Sequence, residues 1–226
     1  MSRLADYRAL QASVPGLENL YQTIGDALAA LCQSHGKVLI IGGGGGREIE
    51  LLSERNIFAD LTIVDPSTDN LRQARAMAKR TGYRGTIEFV EGTVESLPTD
   101  RKFHTAAIVF VLHTIDDADI ERRLLQRVQA RLNQTGQLIV ADMCIGDDSS
   151  VDGLVKTYTH HAQALGAREA LIHLETQAVL ARRDRSRASL IEKLASAELS
   201  VIGQIGEAHW YIAVTAARTQ QVTSAN

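Results

Sequence analysis

The chain has 226 residues, 45% of them apolar, which is enough for one α/β domain with a full core. Its net charge of −3 gives no electrostatic reason to seek nucleic acid or an anionic membrane, and no apolar run approaches bilayer length. Two cysteines, Cys32 and Cys144, supply neither a disulfide framework nor a metal motif. The N-terminus lacks a basic stretch followed by an apolar one, so a cytoplasmic protein with reduced thiols is expected.

In chain order, Leu17, Leu20, Ile24, Leu28 and Leu31 recur at helical spacing after the break at Pro15-Gly16. From residue 37 to 143 short apolar runs alternate with helical patterns. The runs are Val38–Ile41, Leu61–Val64, Ile87–Val90, Ala106–Leu112 and Leu138–Ala141. Most of their residues are apolar rather than alternating with polar ones, which suits parallel strands covered on both faces. The helical patterns cover about 46–54, 67–81 and 117–132, with Gly136 as a turn before the fifth strand. Residues 145–197 carry two or three helical patterns rich in His and Arg and no strong strand. Two closing runs, Leu199–Ile205 and Trp210–Ala216, read as a hairpin turning at Gly206-Glu207-Ala208.

The strand-to-helix turn VLIIGGGGGREIELL carries the most chemistry. Backbone can approach a ligand closely at Gly42 to Gly46 because no Cβ intervenes, and free N–H groups at the helix start favour an anionic group. The dinucleotide fingerprint G-x-G-x-x-G would need glycine at Arg47 or Glu48, and no Gly-Lys-Ser/Thr follows for a P-loop. Gly42-x-Gly44-x-Gly46 fits instead the G-x-G-x-G loop of S-adenosylmethionine (SAM) enzymes. Asp65, ending the second strand, stands where a carboxylate grips a ribose diol. The plainer reading, a flexible turn with Asp65 capping the next helix, is disfavoured by the strands on both sides.

The order of motifs resembles the class I SAM-dependent methyltransferases over most of the chain. VLIIGGGGG is similar to their first motif, TIVDPS to the second and IEFVEGTVESLP to the third-strand segment that flanks adenine. FHTAAIVFVLHTIDD is similar to the fourth strand and RLNQTGQLIVADM to the fifth-strand turn. SVPGLENLYQTIG and the closing SLIEKLASAELSVIGQIGEAHWYIAV look closest to a branch with small-molecule methyltransferases and the wobble-uridine carboxy-SAM synthases. The resemblance implies a single Rossmann-like α/β domain over 1–226. Its seven-stranded, mostly parallel sheet would have a reversed final strand and helices on both faces. N-terminal helices (1–34), a cofactor core (37–144), a helical cap inserted after the fifth strand (145–197) and a terminal hairpin (198–216) would compose it. It also implies SAM as cofactor and S-adenosylhomocysteine (SAH) as product. Gly42, Gly43, Gly44, Gly46, Asp65, Pro66, Gly92, Thr93, Val94 and Phe110 would surround the cofactor. Three positions depart from the pattern: Ile40, Thr93-Val94 and His104 stand where acidic residues are usual. Thr93 still offers a hydroxyl to the adenine amino group, as a weaker, neutral partner.

Methyl transfer needs alignment and exclusion of water, and a base only when the acceptor must lose a proton. His113, ending the fourth strand, is the first candidate base. Tyr158 and His160, in the insert that would roof the site, are further catalytic candidates. The adjacent histidines 160 and 161 lack an i, i+4 partner, so no metal is expected. Arg182, in a basic run otherwise read as a solvated helix end, is a candidate clamp for an acceptor carboxylate or phosphate. Trp210 is a candidate lining of an aromatic acceptor pocket. The expected partner is a small-molecule acceptor, without membrane or nucleic acid, and an exposed apolar face of the insert could pair two chains. The rivals are a carboxy-SAM synthase drawing on the arginine run, a catalytically degenerate SAM-fold binding protein, and, more remotely, an aminopropyl transferase.

Overall fold

A computed structural model describes residues 12–32, 36–145 and 151–219. After helix α1 (Leu17–Leu31), strands and helices alternate: β1 (Lys37–Ile41), α2 (Arg47–Glu54), β2 (Asp60–Asp65), α3 (Thr68–Thr81), β3 (Ile87–Glu91), β4 (Phe103–Val109), α4 (Ala118–Arg131) and β5 (Leu132–Met143). Three cap helices follow, α5 (Val151–Ala164), α6 (Glu169–Ala181) and α7 (Arg187–Ser196), then β6 (Leu199–Ala208) and β7 (Tyr211–Arg218). Among the described residues no helix is long and apolar enough to cross a membrane.

The seven strands form one sheet in the order β3-β2-β1-β4-β5-β7-β6, parallel except for β7, which runs antiparallel to both β5 and β6. Strand side chains alternate between two cores. Val38 and Ile40 face the cluster built with Leu20, Ile24, Ile49 and Leu71. Leu39 and Ile41 face the one built with Leu125, Val128, Leu190 and Leu194. Helices therefore cover both faces, and the central strands are apolar at most positions on either side. The winding reverses between β1 and β4, which opens a crevice at their carboxyl ends, where such sheets bind ligands.

Helix starts are fixed locally. Ser67 caps α3 by accepting from the Asn70 N–H, and Asp117 caps α4 by accepting from Asp119 and Ile120. No side chain caps α2, whose start is left to the glycine loop.

The hairpin differs from its expected form. Gly206 lies inside β6, opposite Ala213, and the turn falls at His209-Trp210, with His209 at φ 51°. The glycine serves a close approach of helix: a Cβ at Gly206 would lie 3.2 Å from Leu20 Cδ1 of α1.

Candidate cofactor and acceptor site

The glycine loop crosses the carboxyl end of β1. Gly46 adopts φ 75° and lies so close to α3 that a Cβ would meet Met77 Cβ at 2.9 Å and Ala74 Cα at 3.0 Å. Gly44, at φ 38°, would meet only the Gly42 carbonyl within 4 Å, so the loop is open at its centre. The Gly44 N–H donates to Asp65 Oδ2 (3.2 Å), joining the loop to the end of β2. Asp65 is 3% exposed, and its carboxylate also accepts from the Ser67 N–H (2.8 Å) and from Asn70 Nδ2 (3.1 and 3.2 Å). Those donors hold the carboxylate at the crevice.

Across the crevice, β4 is followed by Phe110, whose φ of 56° is unusual for a side chain of that size. A short 3₁₀ turn, Leu112–Thr114, then carries His113. His113 Nδ1 lies 2.6 Å from Oδ1 of Asp142 near the end of β5, and the same oxygen accepts the His113 backbone N–H at 3.1 Å. The other Asp142 oxygen accepts from Arg185 Nη1 at 2.9 Å. Arg185 also reaches Glu121 (3.2 Å) and the Leu112 carbonyl (2.8 Å), and Lys193 closes the network on Glu121 at 2.9 Å. Asp142 and Glu121 are almost fully buried and Arg185 is mostly so, so these charges interact with little screening by water. Aromatic rings run from the glycine loop to the histidine. Arg47 stacks over Tyr21, Tyr21 packs edge-on against Phe110 at 5.2 Å, Phe110 lies 4.6 Å from Tyr211, and Tyr211 6.2 Å from His113.

Residues 38–136 match the family described as a methyltransferase domain. Solved structures share the architecture. The mitomycin 7-O-methyltransferase MmcR superposes with a TM-score of 0.63 at 19% identity, covering 90% of this chain and 55% of its own. An O-methyltransferase family 2 protein from Planctomyces limnophilus in complex with apigenin gives 0.64 at 21%, covering 96% and 62%. A SAM-dependent methyltransferase from Clostridium acetobutylicum gives 0.61 at 12%, covering 90% and 92%. The fold is that of the class I SAM-dependent methyltransferases. A search of curated proteins found no match. The chain thus spans only about half the length of the mitomycin enzyme. The domain match and the SAM-dependent neighbours support S-adenosylmethionine as the cofactor.

Within this methyltransferase fold the remaining expected cofactor residues fall along the same rim. Pro66 is exposed after β2. Gly92 follows β3 at φ 137°, and its N–H bonds the Asp65 carbonyl at 3.1 Å. Thr93 is exposed and its hydroxyl donates to Glu95 at 2.7 Å, which lowers the Glu95 pKa. The oxygen of Thr93 keeps its lone pairs for an incoming donor. Val94 is 1% exposed, its side chain committed to the core. Gly43 sits against Ile63 of β2, which leaves no space for a side chain.

Three expected site residues do not converge on His113 as a catalytic set. Tyr158 is fully buried, its hydroxyl 3.3 Å from Ser13 Oγ and its ring 4.9 Å from Trp210, and burial pushes its pKa up. It is a packing residue beneath the cap, as its shared face with apolar residues of the helix would predict. Trp210 is fully buried as well, wedged between Tyr158 and His209 (4.4 Å), so it lines no open surface. His160 lies on the exposed side of α5. Arg182 is close, but it is used by the protein: its Nε donates to the His113 carbonyl and its Nη2 faces Asp116 at 3.8 Å. The solvated reading of the arginine run fails for Arg185, which is 12% exposed.

Sequence reasoning missed Asp142, Glu121, Glu175 and Tyr21, and it named Arg185 and Tyr211 only as members of the arginine run and of a candidate aromatic lining. Asp142 had a signal, an acid at the ligand end of the fifth strand. Burial pushes both thiols, Cys32 and Cys144, up to about 12, so neither supplies a thiolate nucleophile.

Glu48, in the first turn of α2, is 6% exposed, and burial raises its pKa from 4.5 to about 7, partly offset by its own backbone N–H and by Arg47. The folded protein therefore holds a proton that the unfolded chain releases. The charge carries no penalty below pH 4.5, a rising one from 4.5 to 7, and a constant one above. Glu48→Gln is expected to gain stability over the wild type across that window, reaching roughly 3 kcal/mol by pH 8. Urea unfolding at pH 4.5 and 8 measures it, and equal gains at both values would refute the assignment.

Proposed function

We propose that the protein transfers a methyl group from SAM to a small-molecule acceptor, with His113 as general base. The observation that carries this is the 2.6 Å contact of His113 Nδ1 with buried Asp142, at the crevice where β1 and β4 diverge. The carboxylate accepts the Nδ1–H and fixes the tautomer, which leaves the Nε2 lone pair to take the acceptor proton. SAM, when bound, supplies an electrophilic methyl. Asp65 would accept hydrogen bonds from the ribose hydroxyls, the Gly42–Gly46 backbone would meet the methionine end, and Thr93 would accept from the adenine amino group. The aromatic run Tyr21–Phe110–Tyr211 would exclude water and favour a flat acceptor. The O-methyltransferase names of two structural neighbours support an oxygen as the atom methylated.

The carboxy-SAM reading needs a free cation for the extra carboxylate. Arg182 and Arg185 are instead held by the His113 carbonyl and by Asp142 and Glu121, which weighs against it. The degenerate reading is opposed by the His113–Asp142 pair, which a binding protein would not require.

The test is calorimetric titration with SAH followed by an acceptor screen read by SAH release and mass analysis. Asp65→Ala should weaken SAH more than roughly tenfold, since it removes charged hydrogen bonds worth about 1.5–3 kcal/mol each. An unchanged titration would remove Asp65 from the site, and no turnover across the screen would favour the binding-protein reading.

A further inference from the structure

Glu175 lies in the middle of α6, an otherwise largely apolar cap helix. It is 6% exposed, and among the described residues no ion pair reaches it. Its Oε1 accepts the Tyr211 hydroxyl at 3.0 Å. The fully buried Trp210 Nε1–H lies beside the same carboxylate without completing a hydrogen bond. His113 and Arg182 are near enough to favour its charge, and burial opposes it, leaving the pKa raised. Arg182 does not neutralise it, being spent on the His113 carbonyl and Asp116.

A buried carboxylate without a cation is costly, and chains keep one chiefly where a ligand compensates it. Here Tyr211 touches both the carboxylate and the aromatic run that ends at His113. One face of the Tyr211 neighbourhood thus offers a proton acceptor, His113, and the other the Glu175 carboxylate, without an ion pair among the described residues and set beside the aromatic Tyr211 and Trp210, surroundings that suit a bound ammonium.

We propose that Glu175 selects the acceptor: the substrate carries a protonated nitrogen that seats on Glu175 while the group to be methylated faces His113. This rests on the methyl-transfer reading above. A neutral acceptor of the same outline leaves the carboxylate uncompensated and binds more weakly by the value of a charge-assisted hydrogen bond.

The probes are two matched pairs, tyramine with 4-ethylphenol and dopamine with 4-ethylcatechol, titrated into the protein saturated with SAH. The wild type is expected to bind each amine roughly tenfold or more tighter than its neutral twin. Glu175→Gln, which preserves shape, abolishes that preference and leaves SAH affinity unchanged. The same variant is expected to melt a few degrees higher at pH 8, because a lone buried charge has gone. A carboxyl kept only for structure would give a lower melting temperature. Equal affinity within pairs, absence of binding by every probe, or a preference that survives in Glu175→Gln overturns the proposal. Failure of the methyl-transfer reading looks different: SAH does not bind, or bound amines are not methylated, while the amine preference persists.

Discussion

His113→Ala is expected to lower turnover about 10²- to 10⁴-fold, the range for a positioned general base, while SAH affinity stays within about twofold. The separation follows from position. His113 sits after β4, beyond Phe110, and its polar contacts run to Asp142, Arg182 and the cap, whereas most residues proposed to hold the cofactor lie in the loops after β1, β2 and β3. Asp142→Asn should retain the ring but lose the carboxylate that selects its tautomer, with a smaller loss of about 10- to 100-fold. Initial rates with an acceptor from the screen and calorimetry with SAH make the comparison. If His113→Ala keeps more than about a third of the wild-type rate, the proton leaves by another route.

Arg185→Met is expected to cost about 3–5 kcal/mol, the usual consequence of removing one member of a buried ionic network. The guanidinium supports Asp142 and Glu121, which are 1% and 3% exposed on their side chains, and also binds the carbonyls of Leu112 and Ile115. Lys193 remains on Glu121, so Asp142 bears most of the uncompensated charge. The double variant Arg185→Met/Asp142→Asn should therefore be more stable than Arg185→Met alone, a non-additivity that a merely steric role of Arg185 does not produce. Urea unfolding of the four proteins of the cycle decides it, and strictly additive losses would refute the network.

The contrast between these residues shows what the chain reveals linearly. Central strands such as β1 were legible because a strand covered on both faces is mostly apolar, as Val38 to Ile41 are. The glycine loop was legible because a tight turn beside Met77 and Ala74 tolerates no side chain at Gly46. His113 was expected to end the fourth strand and lies just past it, in the 3₁₀ turn Leu112–Thr114. Arg185 was not legible, because its partners lie 43 and 64 residues away and a run of arginines looks the same whether solvated or buried. Glu175 meets Tyr211 across 36 residues, a pairing that no periodicity encodes. Gly206 was mistaken for a turn because the sequence does not show that α1 lies against that strand. Tyr158 and Trp210 were drawn to chemistry by their residue type, while their contact with each other packs the cap against the turn of the terminal hairpin.

The cap is fastened at Arg182 to the carbonyl of His113 and at Arg185 to the carboxylate that orients His113, and the Ile145 N–H bonds the Arg185 carbonyl. The part of the molecule that would recognise an acceptor is thus also the scaffold of the part that would deprotonate it. Exchanging cap helices to gain a new acceptor would disturb the reacting group in the same stroke. On the proposed role of Glu175, variation confined to α6, with both arginines retained, would change the acceptor and leave the orientation of His113 intact.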